Sequence, residues 1–419
     1  MQKFFLRSPN SKLGLPIFFF LLPTISVFSS NALVPLTVIA GVTLGLHDYF
    51  RYRFVPRPSK QTLILVGLFF GWAFLSWFWS INPEGTLKVT SRLLALSICG
   101  WLFVQAVDHR PQEIKNRIAK YFLWGLLLGA ATLIIESQFN APITRLAKGL
   151  SDDDFLNLSR LNRGTTFIAI SGWICLALYS HLLPRFLFPI LVIALMGVLW
   201  FAHSESTLMS MGLSIVWVIT FIAFSNWSRK FLKYIIALTI LAMPLVTTLA
   251  APIGEPENSY NVHTSAHHRF FIWGFVSSKI LEAPLIGAGM DASRIYPNTK
   301  EETYKRKRSD GIITGAGDRV ISLHPHNAPL QIWLELGAVG AIFAVLCVLN
   351  AFRWVSQFPH ENALRNMSIQ AATITAILMT MLGYGIWQNK WFVMFFLFSA
   401  LVALLPGREK TGSIKDTME

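Results

Sequence analysis

Apolar runs of about 17 to 22 residues recur along the whole chain, and no other feature of the sequence restricts its fold so tightly. At 1.5 Å rise per residue, each run makes a helix long enough to cross a hydrocarbon core of about 30 Å. Backbone groups cannot be left unpaired in lipid, so such runs must be helices or the strands of a closed barrel. Barrel strands alternate apolar and polar residues, and these runs do not. With 53% hydrophobic and only 14% charged residues, the chain is apolar enough for most of its helical surface to face lipid. The expected fold class is all-α: a polytopic membrane protein with a large, partly helical loop.

Reading the runs in order gives about twelve spans, near 14–30, 31–48, 61–80, 88–107, 120–137, 165–183, 185–203, 207–226, 232–251, 328–348, 367–386 and 391–406. Lys and Arg near membrane ends resist translocation, which fixes the orientation. Arg51, Arg53, Arg57 and Lys60 share one side with Arg110, Lys115, Arg117 and Lys120, then with Arg229, Lys230 and Lys233, then with Arg353 and Arg365. That side is expected to be cytoplasmic. The alternate short loops near Ser30, Asn82, Ser204 and Asn389 are nearly free of basic residues, which puts them on the outer side. The layout expected is therefore nine spans over 1–251 with an outer loop at about 138–164, a large outer loop over 252–325, three spans over 326–406, and a cytoplasmic tail over 407–419. In the large loop, spaced apolar residues from Phe270 to Leu281 predict a helix lying over the membrane domain as a lid. The breaker string Pro284-Leu285-Ile286-Gly287-Ala288-Gly289 ends it.

The formal charge of +14 does not imply nucleic acid, because the cations sit in loops between apolar runs and form no basic reading motif. Lys305-Arg306-Lys307-Arg308 opposes the topology if counted naively, but long loops translocate largely regardless of charge. Cys99, Cys175 and Cys347 lie far apart inside apolar runs, which predicts helix packing rather than disulfides or zinc. Lys3 and Arg7 before the run from Leu15 to Ser29 fit either a signal peptide or a first membrane helix. The second run that follows at once, Leu33 to Leu46, favours a helical hairpin.

Chemistry concentrates where the large loop re-enters the bilayer, in Leu323-His324-Pro325-His326-Asn327-Ala328-Pro329. Asn327 can cap the next helix and Pro329 suits its first turn, so His326 is expected at the membrane surface, on the floor of the loop. A histidine there could equally satisfy a backbone group. Arg269 lies in His267-His268-Arg269-Phe270-Phe271-Ile272-Trp273, where the plain alternative is a solvated charge. Arg163 opens the sixth span, where snorkelling competes with binding. Arg92, in the first turns of the fourth span, needs a partner because burying a charge is costly; it can extend a basic pocket, pair with an acid such as Glu335 or reach the headgroups. Glu335 is itself an intramembrane carboxylate and a secondary candidate with Arg92 and Asn327.

His326-Asn327 followed nine residues later by Gly337-Ala338-Val339-Gly340, together with Arg269, Trp273, Pro284 and Gly287-Ala288-Gly289, resembles the O-antigen ligase and polymerase superfamily of bacterial inner-membrane glycosyltransferases. The likeness extends in layout to the span count, the position of the large loop and the stretch Leu75 to Pro83. It implies a catalytic base at His326 and diphosphate binding by Arg269 and, on a shorter motif, Arg163. Guanidinium suits that task because its planar donors match two phosphate oxygens and it stays charged. The resemblance further implies a metal-independent, inverting transfer of glycan from undecaprenyl diphosphate to the lipid A core on the periplasmic face, with no cofactor and with membrane lipids as the surroundings. A polymerase of the same superfamily is the alternative. A transporter or flippase would share the span count, but its site belongs near the midplane between broken or repeated helices.

Overall fold

The structure is a computed structural model that describes residues 13–151, 153–258, 263–297, 303–307, 313–321, 323–355 and 362–406. Lys3, Arg7, Arg308 and the 407–419 tail lie outside the described residues. The helices are α1 (Gly14–Phe28), α2 (Leu33–Tyr52), α3 (Lys60–Leu75), α4 (Pro83–Asp108), α5 (Gln112–Gln138), α6 (Pro142–Lys148), α7 (Asn162–Tyr179), α8 (Leu187–Phe201), α9 (Glu205–Ala223), α10 (Ser225–Ala250), α11 (Thr264–Glu282), α12 (Ala328–Val355), α13 (Ala363–Leu382) and α14 (Asn389–Val402).

Every apolar run of the sequence is occupied by one of these helices. Eight are long and apolar enough to cross a membrane by length and composition. Three others are apolar but short: α1 and α8 have 15 residues and α14 has 14. At 1.5 Å per residue such helices reach only about 22 Å. The remaining helix in an expected span, α13, has 20 residues and carries Arg365, Asn366, Ser368, Gln370 and Thr375 among its buried positions.

Capping chemistry sets several of the helix starts. Asn82 accepts the Gly85 N–H with Pro83 in the first turn of α4, Ser59 accepts the Thr62 N–H at α3, and Asn362 accepts the Arg365 N–H at α13. Helix α7 is central and buried without interruption from Gly164 to Leu178. It packs on α13, which in turn packs on α9. Ser214 and Thr375 meet across the α9–α13 contact at 2.7 Å, and Trp217 donates to Gln370 at 2.9 Å. Large apolar side chains such as Ile39, Leu63, Ile193 and Leu249 are exposed around the periphery. In water that surface would be a liability, and in lipid it is the matching solvent.

The large loop departs from expectation in two ways. Helix α11 forms where the spaced apolar residues predicted it, and Ile272, Val276 and Ile280 join Leu330 and Leu334 of α12 in a small second core. Beyond it stands an antiparallel ribbon that the all-helical reading did not anticipate, β1 (Thr303–Lys307) paired with β2 (Ile313–Arg319).

The second departure concerns 284–289, expected as a simple helix stop. This segment instead inserts into a break in α12. Gly337 has φ 66° and ψ −166°, a conformation essentially restricted to glycine, and it divides α12 into two halves. Such a break deprives the N–H groups of residues 338 and 339 and the carbonyls of residues 334 and 335 of their usual i−4 partners. Each finds a substitute. Ala338 and Val339 donate to Pro284 and Leu285 at 2.8 and 3.3 Å, while Leu334 and Glu335 accept from Ala288 and Gly289 at 2.9 and 2.8 Å. Leu336 accepts from the Trp72 indole at 2.9 Å. The inserted segment thus stands in for one turn of helix, which makes the break tolerable away from water.

A Cβ at Gly337 would lie 2.3 Å from the Leu285 carbonyl oxygen, in addition to the backbone strain. Gly337→Ala is therefore expected to lower the unfolding midpoint of the purified protein in detergent, with a backbone cost alone of about 1–3 kcal/mol. A variant as stable and abundant as the wild type would contradict the inserted arrangement.

Candidate functional site

The segment 323–327 is held at one end of the bundle by its neighbours on three sides. Asn327 accepts the Leu330 N–H at 3.1 Å and so caps α12, as its place in the sequence predicts. Trp273 of α11 donates to the Pro325 carbonyl at 3.1 Å. The His326 N–H donates to His324 Nδ1 at 3.2 Å. Under these restraints His326 adopts a left-handed backbone with φ 52°, uncommon for a residue with a Cβ.

Arg269 and His326 converge on consecutive residues at the end of α13. Arg269 Nε donates to the Leu382 carbonyl at 3.0 Å, and its Nη1 donates to Ser265 Oγ at 2.8 Å. Among the described residues Nη2 has no hydrogen-bond partner, so one prong of the fork is open. The His326 ring donates to the Gly383 backbone. Its Nδ1 is buried and has no hydrogen-bond partner among the described residues. Burial, then the Arg269 charge, then His268 lower the His326 pKa to about 4, against a smaller opposing effect of the Gly383 bond. Burial also works against the charge of Arg269, with the Glu205 carboxylate acting the other way.

Arg163 lies in the first turn of α7, partly buried, and its charge acts on Tyr384 and Lys390. Tyr384 donates to Thr166 of α7 at 3.1 Å. Arg163, Arg269 and His326 therefore all address the segment 382–390 that links α13 to α14.

Arg92 and Glu335 are not partners. Glu335 is completely buried, and its carboxylate accepts from the Asp291 N–H, from Ser293 Oγ at 2.6 Å, from Gln331 Nε2 at 3.0 Å and from the Trp387 indole at 2.7 Å. Four donors satisfy the charge, so no arginine is needed. Arg92 instead lies near Asp291 and Arg294, with its Nε buried and unpartnered. Asp291 pairs with Arg294 at 2.8 Å and also feels Lys88. Sequence reasoning assigned no role to His324, Lys390 or Arg294, whose importance comes from where the loop lies.

Below this end of the bundle lies an apolar cavity of about 530 Å³. Phe70, Ile98, Ile240 and Phe396 line its flanks, and Ala328 and Trp387 border it beside the His326 segment. Arg163, Arg269 and His326 do not line this cavity, which reaches the site only through Ala328, Pro329, Ile386 and Trp387.

Residues 189–345 match the sequence profile of a family described as O-antigen ligase. The matched stretch runs from α8 into α12 and contains Arg269, His326 and Gly337. Among known proteins, the chain is 26% identical over 337 residues to a Rickettsia bellii protein provisionally named polysaccharide ligase, covering 77% of this chain and 75% of that one. It is 28% identical over 331 residues to a Rickettsia conorii protein with the same provisional name, again covering 77% and 75%.

Because the folded-state pKa values of His324 and His326 lie at about 3 and about 4, below the ordinary 6.5, protonation favours the unfolded chain. Their contribution to stability is complete above about pH 6.5 and is lost as pH falls through these lower values. NMR of histidine-labelled protein should show both rings uncharged at pH 5.5; a His326 ring titrating near 6.5 would contradict the buried, arginine-facing placement.

Proposed function

Because the chain belongs to the O-antigen ligase family, we propose that it transfers a glycan from undecaprenyl diphosphate to the lipid A core oligosaccharide at the periplasmic face of the inner membrane. The donor's tail enters the apolar cavity and its diphosphate lies against Arg269 and Arg163. The acceptor hydroxyl attacks the anomeric carbon, the bond from that carbon to the diphosphate oxygen breaks, and the electron pair leaves with the diphosphate. The neutral His326 imidazole takes the hydroxyl proton. Negative charge grows on the leaving group, where the arginines stabilise it, and the reaction requires no metal in this scheme. A single displacement inverts the anomeric centre.

The observation that carries this reading is the convergence of Arg269 and His326 on the consecutive residues Leu382 and Gly383, with one guanidinium prong open. Transport is less well supported. Transporters use the free backbone of broken helices to bind cargo, whereas the N–H groups of Ala338 and Val339 and the carbonyls of Leu334 and Glu335 beside Gly337 are taken by Pro284, Leu285, Ala288 and Gly289.

Purified protein reconstituted with an undecaprenyl-diphosphate glycan, lipid A core and chelator should form the ligated product without nucleotide. His326→Ala should abolish transfer while membrane abundance is retained, and an active variant would remove His326 as the base. Arg269→Lys keeps the charge but cannot hold Leu382 and Ser265 while presenting a further N–H to phosphate, and a fall in rate of at least about tenfold, roughly 1.4 kcal/mol, is expected. Product on a second glycan rather than on the core would identify the polymerase alternative.

A further inference from the structure

His324 has no place in the reaction just described, yet it is the most constrained side chain beside the proposed base. It is buried, at 7% exposure, and its ring lies 4.3 Å from that of His326. Its Nδ1 receives the His326 main-chain N–H at 3.2 Å. A backbone N–H can only donate, so Nδ1 carries no proton and the neutral ring holds its single proton on Nε2. Nε2 in turn lies 2.8 Å from the terminal amide of Gln388, at the atom assigned as nitrogen. A nitrogen there would set donor against donor. Turning the amide by 180° presents its oxygen and completes the bond.

The local sequence leaves the His326 N–H without competition. Pro325, between the two histidines, has no N–H of its own, and its carbonyl is already taken by Trp273. The Gly383–Gln388 turn closes on the other side of the ring, where a Cβ at Gly385 would come within 2.8 Å of His324. Arg294, Lys390 and His326 are the charged or titratable groups acting on His324, and all three disfavour its protonation, so the acceptor at Nδ1 is kept.

We propose that His324 is a positioning residue. By accepting the His326 N–H it holds the left-handed backbone at φ 52°, which sets the ring of the base between Gly383 and Arg269, in the orientation from which it takes the acceptor's proton. This rests on the reading of His326 as the base. His324 touches neither donor nor acceptor and acts entirely through its neighbour.

Three variants test it in the reconstituted transfer assay. His324→Leu keeps bulk but removes the acceptor, and should cut kcat by about a hundredfold, the scale of a misplacement of about 1 Å, with donor KM within about twofold. The acidic limb of its kcat/KM profile should move up from about 4 toward the ordinary 6.5, because a released His326 ring leaves its burial and Arg269, the two largest causes of its shift. His324→Asn supplies an oxygen near the position of Nδ1 and should restore most of the rate and the acidic midpoint. If the leucine variant is not recovered from membranes, the asparagine variant decides: near-normal kcat supports positioning and an inactive but folded protein overturns it. A leucine variant with wild-type kcat and an unmoved midpoint, while His326→Ala is inactive, overturns the role of His324 alone. An active His326→Ala overturns the base itself.

Discussion

The buried carboxylate of Glu335 holds together parts of the chain that would otherwise have no reason to meet. Its four donors come from the 291–293 segment, from its own helix at Gln331 and from Trp387 in the turn before α14. Removing it would leave four buried donors without an acceptor, each costing about 1–3 kcal/mol. Because the carboxylate is fully satisfied, it serves as a fixed point and contributes no chemistry of its own. The same stretch of α12 is broken at Gly337 and filled by 284–289, so the carboxylate and the inserted segment together attach the large loop to the membrane domain.

From that fixed point the rest of the site follows. Trp387 and Gln331 anchor the 383–388 turn, since Gln331 also accepts the Ile386 N–H at 3.1 Å. That turn presents Leu382 and Gly383 to Arg269 and His326, and Tyr384 to α7. The positive field has a double consequence in the proposed reaction. It attracts a diphosphate, and in its absence it keeps the imidazole uncharged and able to accept a proton. A bound diphosphate would partly cancel that field, so the base would become stronger once the donor has arrived.

Much of the membrane architecture was legible in the sequence because lipid allows few solutions: an apolar run of sufficient length must become a helix. The polar α13 was also found, although its buried Arg365 and Gln370 dilute its apolar character. The Asn327 cap that sets His326 beside the start of α12 was legible, as was the helix over Phe270 to Leu281. The partners of Glu335 were not. They lie 42 to 52 residues away at Ser293, Asp291 and Trp387, and no local pattern encodes such distant hydrogen bonds. The nearness of Arg92 to Asp291 was hidden for the same reason. The break at Gly337 escaped because glycine is ordinary in an apolar helix, and its positive φ becomes necessary only when 284–289 approaches. The ribbon of β1 and β2 lay in a loop whose breakers and charges obscured strand alternation.

The proposed reaction is a single displacement at the anomeric carbon, driven by one imidazole and a cation-stabilised leaving group. The anomeric configuration of the product, determined by NMR after transfer from a donor of known configuration in the reconstituted system, tests this most directly. Inversion is the predicted result. Retention would require a covalent intermediate on an enzyme nucleophile, and would contradict His326 as a base acting on the acceptor.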